Sequence, residues 1–251
     1  MDLSLLLLRE DIGESYDAVV RAAAGAVGAE VCHLVLYDAD GQELWTSRGL
    51  PQAATLLSNV SPAVSGSVVV APFPAGDVVA FDTGSGKITW RDSLARSSET
   101  SASAILGDPA RPVIDQGVVF AVSHGGKMMA ISESSGERLW SLNLGSTQMP
   151  WVAGDTVYVV DLRGKLVALA RTDGNVRWVS ELPAGQQWNG PVLAGGRLWL
   201  VSGEGLLVGA DARTGQLVTQ LDLGTEVFVA PVVAGGRMYI LADNASLIAL
   251  N

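Results

Sequence analysis

The sequence predicts an all-β fold: a β-propeller of four-stranded antiparallel blades, with one short helix near the N-terminus. The main support is two phrases that return in step along the 251 residues. The first phrase has a glycine four residues before its last position, which is usually a tryptophan. The second has a proline followed by a short apolar run, and successive prolines lie 38 to 50 residues apart. Self-similarity at this period is typical of propeller blades.

The glycine–tryptophan phrase occurs five times. Its final residues are Trp45, Trp90, Trp140, Trp178 and Thr219, and its glycines are Gly41, Gly86, Gly136, Gly174 and Gly215. We interpret each glycine as part of a hairpin turn, because glycine reaches positive φ without a Cβ clash. We interpret each tryptophan as a packing anchor between blades, where the side chain buries on the order of 200 Å². The gap at Thr219 must then be filled in another way.

Residues 61–90 show how one blade is built. Apolar runs predict strands at residues 63–64, 68–70, 78–81 and 88–90, and turn residues such as Ser65-Gly66 separate them. Because the runs are apolar at successive positions, we expect both faces of each sheet to be buried between neighbouring blades.

The repeats predict a propeller domain over residues 31–251, with about five blades. They are expected at residues 61–95, 111–145, 149–183 and 190–222, and at 230–251 completed by 36–48. Residues 1–30 lie outside the repeat pattern. Ser15 is a candidate N-cap for a helix that runs through Val27 and ends at Gly28.

Two arrangements of the blades stay open at this stage. In a closed ring of five blades, the segment Gln42–Thr46 would supply the outer strand of the last blade. In an open arc, these would be the last blades of a longer protein, and two apolar blade faces would be exposed.

Composition excludes several classes of function. The net charge of −10 argues against a nucleic acid or an anionic membrane surface as partner. A single cysteine, Cys32, excludes a framework of internal disulfides. The apolar runs are far shorter than the ~20 residues of a membrane-spanning helix. The N-terminus lacks the basic region of a secretory signal, and the residues before Cys32 do not form a lipoprotein signal.

No catalytic, metal or cofactor site is expected. His33 and His124 lie in different repeats without motif neighbours. The stretch Gly84–Lys87 lacks the remaining residues of a phosphate loop, so we expect a hairpin turn. The stretch Asp38–Gly41 resembles the start of a calcium loop, but Gly49 stands where a bidentate glutamate is required.

The repeat resembles the pyrroloquinoline-quinone-type propeller repeat, and residues 76–90 match its signature G-x-(V/L)-x-A-(L/F)-D-x-x-(T/S)-G-x-x-x-W nearly throughout. Within that superfamily the chain resembles the BamB family, the propeller lipoproteins of the outer-membrane barrel assembly machinery. The stretches that carry this resemblance are residues 111–121, 125–131 and 238–250. The family is secreted, lipidated and eight-bladed, whereas we expect about five blades here and find no lipoprotein signal.

The resemblance implies a non-enzymatic scaffold at the periplasmic face of the outer membrane, which binds a protein partner. Propeller loops carry recognition on a rigid frame, and the two longest connections are Thr46–Val60 and Arg91–Ala110. In the family, the corresponding connections contact a periplasmic domain of the barrel-inserting subunit. By position relative to the repeat prolines, the partner-binding residues implied here are Thr55, Leu56, Leu57 and Asp108, with Arg111 beside Asp108.

Two other functions remain possible from the sequence. One is an enzyme that uses the same repeat, such as a quinone-dependent dehydrogenase. Those enzymes are about twice this length or more and carry a vicinal cysteine pair, which one cysteine cannot supply. The other is a periplasmic propeller that binds a small ligand, which a deep polar central channel would support.

Overall fold

The structure of the protein is a computed structural model. This structure describes residues 33–48, 61–73, 76–94, 109–184 and 187–251, together with the backbone of two strands at residues 4–7 and 19–23. All regular elements in these ranges are antiparallel β-strands. This confirms the prediction of an all-β chain of four-stranded antiparallel sheets. The chain divides into two compact units, residues 1–147 and 148–251.

The first unit contains three four-stranded sheets, each with its strands in chain order. Sheet 1 consists of β1 (Ser4–Leu7), β2 (Val19–Ala23), β3 (His33–Tyr37) and β4 (Glu43–Arg48). Sheet 2 consists of β5 (Ala63–Ser65), β6 (Val68–Pro72), β7 (Asp77–Asp82) and β8 (Ile88–Ser93). Sheet 3 consists of β9 (Val113–Asp115), β10 (Val118–Val122), β11 (Met128–Ser132) and β12 (Arg138–Leu142).

The second unit contains two four-stranded sheets and one of three described strands. Sheet 4 consists of β13 (Trp151–Ala153), β14 (Thr156–Val160), β15 (Lys165–Ala170) and β16 (Val176–Glu181). Sheet 5 consists of β17 (Trp188–Ala194), β18 (Arg197–Ser202), β19 (Leu206–Asp211) and β20 (Leu217–Asp222). Sheet 6 consists of β21 (Val232–Ala234), β22 (Arg237–Leu241) and β23 (Leu247–Leu250).

The predicted N-terminal helix is wrong. Within the expected helical segment, β2 pairs with β1 on one side and β3 on the other. The segment is rich in alanine, which favours helix, but it also carries the β-branched pair Val19-Val20. Pairing with the apolar strand β3 overrides local propensity here. The boundary near residue 30 therefore falls inside sheet 1, and the described chain forms six sheets instead of about five.

The expected completion of the last blade by residues 36–48 also differs from the structure. The strand β4 pairs with β3, and both belong to sheet 1. Among the described residues, sheet 6 has the three strands β21, β22 and β23.

The core lies between successive sheets inside each unit. Sheets 1 and 2 bury Leu34 and Leu36 against Val69 and Phe81. Buried apolar side chains also fill the space between sheets 2 and 3, between sheets 4 and 5, and between sheets 5 and 6. In sheet 2, β7 is buried on both faces: Val79 and Phe81 pack against sheet 1, and Val78 and Ala80 pack against sheet 3. The successive apolar residues noted in the sequence therefore face two neighbouring sheets there.

Three of the glycine turns, at Gly86, Gly136 and Gly215, pack on the tryptophan of the preceding sheet. A Cβ on Gly86 would lie 2.6 Å from the ring of Trp45, and one on Gly136 would lie 2.5 Å from the Cβ of Trp90. The Trp90 indole N–H also donates to the Glu133 carbonyl at 2.7 Å. In the second unit, Gly215 approaches Trp178 at 2.5 Å. Positive φ and this close approach both require glycine at the turn.

The copy that lacks its tryptophan fills the space from another strand. Trp199, on β18, lies over Gly209 of β19, which is paired with Thr219 of β20. A Cβ on Gly209 would lie 2.9 Å from the Trp199 ring and 3.2 Å from the Thr219 Cβ. The indole has thus moved from the fourth strand to the second, and two small residues make room for it.

This packing predicts that Gly209→Ala destabilises the protein. The added methyl group would overlap the Trp199 ring, and overpacking of this kind costs about 1–3 kcal/mol. Urea unfolding of both proteins measures the difference. Gly203→Ala is the control, because its Cβ would meet Phe228 only at an ordinary 3.7 Å, and we expect little change. A loss no larger than that of the control would contradict the packing.

Candidate functional site

Four of the five predicted partner-binding residues, Thr55, Leu56, Leu57 and Asp108, lie outside the described residues. Arg111 is described, and its side chain is exposed. The structure therefore locates the ends of the two long connections and one of the five side chains. Whether it brings the five residues together stays a prediction.

The connection that holds Asp108 is anchored firmly at both ends. Leu94, just after β8, is fully buried, and its N–H donates to the Gly76 carbonyl in the β6–β7 turn at 2.7 Å. Ala110, just before β9, is buried, and its N–H donates to the Val122 carbonyl at 2.8 Å. In each sheet, the turn between the second and third strands lies at one end, and both anchors lie at that end. We call this end of a sheet the connection edge.

Arg111 is held at the connection edge of sheet 3. It stands between Ala110 and Pro112, which are both buried, while Pro109 forms a β-bridge with Ser123. The backbone at residues 109–112 is therefore fixed, and the Arg111 side chain projects from it into solvent. A guanidinium group in this position can contact a carboxylate or a carbonyl of a partner.

Buried polar atoms without a hydrogen-bond partner within the described residues also lie at connection edges. They are Ser123 Oγ, His124 Nδ1 and Trp188 Nε1. Ser123 and His124 begin the β10–β11 turn beside the end of the Asp108 connection, and Trp188 lies near Gly164 in the β14–β15 turn. Such groups are uncommon in folded proteins and call for a specific explanation. His124 has no motif neighbour in the sequence, so no catalytic or metal site was expected there, and its burial at this turn was not predicted.

An exposed aromatic residue at the connection edge of sheet 5 was also missed. Phe228 is 58% exposed, whereas the other three phenylalanines are buried. It follows Val227, whose N–H donates to the Gly203 carbonyl in the β18–β19 turn at 3.2 Å. Phe228 belongs to the apolar run of residues 227–233, and such a run does not by itself distinguish an exposed member from buried ones.

At the opposite edge of the sheets, which carries the glycine hairpin turns, the carboxylates form hydrogen bonds within their own turns. The Ser85 hydroxyl and N–H both donate to Asp82, and these hydrogen bonds hold the pKa of Asp82 below its ordinary value. Bonds led by the Thr214 N–H lower the pKa of Asp211 in the same way. In the first copy, Asp38 accepts the N–H groups of Asp40 and Gln42 at 3.0 and 2.8 Å. These carboxylates stabilise turns.

Residues 33–48, 61–73, 76–94, 109–184 and 187–251 contain no group of three or more His, Cys, Asp or Glu side chains placed to hold a metal ion. No helix long and apolar enough to cross a bilayer is found in the part of the chain that the structure describes.

A family model and the curated relatives that match this chain carry the same description. The family described as "Outer membrane protein assembly factor BamB" matches residues 15–180 and 164–251. BamB of Yersinia pestis is 27% identical over 85% of this chain and 55% of its own length. BamB of Legionella pneumophila is 26% identical over 76% of this chain and 50% of its own length. The chain thus spans about half the length of the curated relatives it matches.

A solved structure supports the fold. The crystal structure of BamB from Moraxella catarrhalis superposes with a TM-score of 0.79, over 93% of this chain and 78% of that chain, at 15% sequence identity. The sheets described above are therefore of the propeller type found in that protein. Since the family match extends over most of the sequence, the chain belongs to the BamB family of outer membrane protein assembly factors.

Proposed function

We propose that the chain is a non-enzymatic interaction subunit of the outer-membrane β-barrel assembly machinery. In this proposal it works at the periplasmic face of the outer membrane and binds a periplasmic domain of the barrel-inserting subunit. Membership of the family supports the assembly role. The binding surface is proposed from the position of the two long connections.

The observation that carries the proposal is the double anchoring of residues 95–108 at the connection edges. Buried Leu94 and Ala110 fix the two ends on neighbouring sheets. A rigid frame of this kind reduces the entropy that a recognition loop loses on binding. Arg111 is exposed at one anchor and would orient the partner together with Asp108.

Leu56 and Leu57 are proposed as the central anchors of the interface. Large aliphatic side chains in a polar loop gain free energy only when another surface covers them. Interfaces draw most of their energy from a few such residues, at about 2 kcal/mol or more each. The charges of Asp108 and Arg111 would act mainly on the rate of association and on its dependence on salt.

We expect the combined change Leu56→Ala and Leu57→Ala to weaken binding to the periplasmic domain by about a hundredfold or more, with the melting temperature nearly unchanged. Isothermal titration calorimetry measures the affinity, and circular dichroism measures the melting temperature. A matched control is Leu44→Ala with Leu139→Ala. These leucines are 52% and 49% exposed on the outer strands β4 and β12.

Three outcomes are informative. If the control pair leaves binding intact and the Leu56–Leu57 pair removes it, the proposed surface is supported. If the Leu56–Leu57 variant unfolds, the leucines belong to the core. If it stays folded and binds as tightly as the unchanged protein, the partner uses another surface.

A further inference from the structure

The connection edge of sheet 3 carries only basic side chains among its described charged residues. They are Arg111, just before β9, and His124 and Lys127 in the β10–β11 turn. The one acidic residue of residues 109–132 is Asp115, which lies at the opposite end of β9. Residues 142–147, which leave the sheet at this edge, contain no charged side chain. A basic edge is unexpected in a chain whose net charge is −10.

Other connection edges carry carboxylates. In sheet 4 the Lys165 ammonium group lies 3.0 Å from Glu181 Oε1, and the corresponding turn of sheet 5 carries Glu204. In sheet 3, neither Arg111 nor Lys127 forms an ion pair within the part of the chain that the structure describes. Both positive charges are therefore available to a partner.

The first position of the turn between the second and third strands also differs in sheet 3. In sheet 4 the Asp161 carboxylate accepts the Lys165 N–H at 2.8 Å, and in sheet 5 the Ser202 hydroxyl accepts the Leu206 N–H at 2.9 Å. Ser123 holds this position in sheet 3 and is 1% exposed, but its hydroxyl has no hydrogen-bond partner among the described residues. The turn of sheet 3 thus leaves unused a polar group that its counterparts use.

The side chains at this turn can all donate hydrogen bonds. A serine hydroxyl donates one hydrogen, an imidazole can carry a proton on Nδ1, and lysine and arginine only donate. Ser123 Oγ and His124 Nδ1 are buried, so Arg111 and Lys127 are the groups that can touch a partner. The edge therefore offers donors and positive charge, and it has no described carboxylate of its own.

The backbone holds these side chains at one place. The Lys127 carbonyl accepts the Ser123 N–H at 3.1 Å, and the Ser123 carbonyl accepts the Gly126 N–H at 3.2 Å. On the other side of Ser123, Pro109 forms the β-bridge that fixes the chain before Arg111. We call Arg111, Ser123, His124 and Lys127 the basic corner. Because its backbone is fixed, little order has to be gained when a ligand binds.

We infer that the basic corner binds an acidic segment of the protein partner, with Arg111 and Lys127 contacting its carboxylates. Hydrogen bonds between such cations and carboxylates are among the strong ones. A protein segment is favoured as the source of negative charge, because the net charge of −10 would repel a nucleic acid. This assignment rests on the proposed function, since it names the charge of the partner surface that the connection edges would meet.

Acidic peptides test the basic corner without the barrel-inserting subunit. Two fluorescein-labelled peptides, GEAEAEAE and GQAQAQAQ, are compared by fluorescence anisotropy at low ionic strength. We expect the glutamate peptide to bind about fivefold more tightly than the glutamine peptide, although the net charge of the chain opposes it. Lys127→Glu should remove this preference. The matched control is Lys87→Glu in an exposed hairpin turn at the opposite edge, which changes the net charge equally and should keep the preference.

Carbodiimide cross-linking tests the same contact in the complex with the periplasmic domain of the barrel-inserting subunit. The reagent joins a lysine amine directly to a neighbouring carboxylate, and the chain has only three lysines, Lys87, Lys127 and Lys165. Mass spectrometry should find partner carboxylates joined to Lys127 and none joined to Lys87. In the same complex, Lys127→Glu should weaken binding about fivefold, while Lys87→Glu leaves the affinity unchanged. Circular dichroism verifies that both variants are folded.

The two possible failures are distinguishable. If the domain binds but Lys127 gives no cross-link, and Lys127→Glu binds as tightly as Lys87→Glu, the acidic contact is overturned and the proposed function stands. If the domain does not bind at all, the proposed function fails and the peptides decide about the corner. A glutamate preference that Lys127→Glu removes would then support the basic corner, and equal binding of the two peptides would overturn it.

Discussion

Trp90→Ala should lower the free energy of unfolding by about 3–5 kcal/mol, the range for removal of a large buried aromatic side chain. The indole is buried between sheets 2 and 3, where it packs on the Gly136 turn and donates to the Glu133 carbonyl. Its loss would leave a cavity and an unpaired carbonyl at the same place. Urea or guanidinium unfolding followed by circular dichroism measures the change.

Trp90→Phe keeps an aromatic ring at the site, and it removes the N–H donor together with one ring of the indole. It should cost less than the alanine change. We also expect Trp140→Ala, which removes the ring 6.0 Å from that of Phe120, to fall in the same range of about 3–5 kcal/mol. A loss below about 1 kcal/mol for Trp90→Ala would show that the turn of the next sheet does not depend on this anchor.

Gly205→Ala is expected to have a comparable effect, about 3 kcal/mol or more. Gly205 has φ of +87°, and a Cβ there would lie 2.0 Å from the Thr225 carbonyl oxygen. The obstacle is backbone, so no side-chain rotation can relieve it. The Gly205 carbonyl also accepts the Leu223 N–H at 2.9 Å, and movement of the turn would break this bond. Thermal or chemical unfolding measures the loss.

Gly224→Ala is the matched control for that change. Gly224 also has positive φ, at +67°, but a Cβ there meets nothing within 4 Å. The free energy of unfolding of this variant should fall by only about 1–2 kcal/mol, which is the cost of placing an alanine in the left-handed conformation. Equal losses for the two variants would mean that the connection at Thr225 moves away readily, which would contradict the close approach.

Much of the fold could be predicted because each repeat contains the residues that determine its turn and its packing. The glycine requires a positive φ and the terminal tryptophan requires a neighbour, so Gly136 and Trp90 together indicate stacked sheets. Sheet 1 was missed because β2 lies in an alanine-rich stretch where the spacing of apolar residues fits a helix. Its strand conformation depends on pairing with β3, which is a tertiary effect that local sequence does not contain.

The replacement at Thr219 could have been found by comparing copies. The same repeat has Gly209 where the copies in sheets 2, 3, 4 and 6 have alanine, and it has Trp199 in its second strand. The changes at Thr219, Gly209 and Trp199 occur in the same repeat, and together they place the indole on the second strand instead of the fourth. By contrast, the predicted contact residues lie in connections that differ in length and do not align between copies. No periodicity constrains Leu56 or Asp108, so position relative to the repeat prolines was the only guide.

The most direct test of the proposed function is hydrogen exchange of the chain, alone and with the periplasmic domain of the barrel-inserting subunit. If the partner binds the connection edges, amides at Ala110 and in the β10–β11 turn, residues 123–127, should exchange more slowly in the complex. The hairpin turns at Gly86 and Gly136 should exchange as they do in the free chain. Protection confined to those hairpin turns, or no protection at saturating partner, would contradict the proposed function.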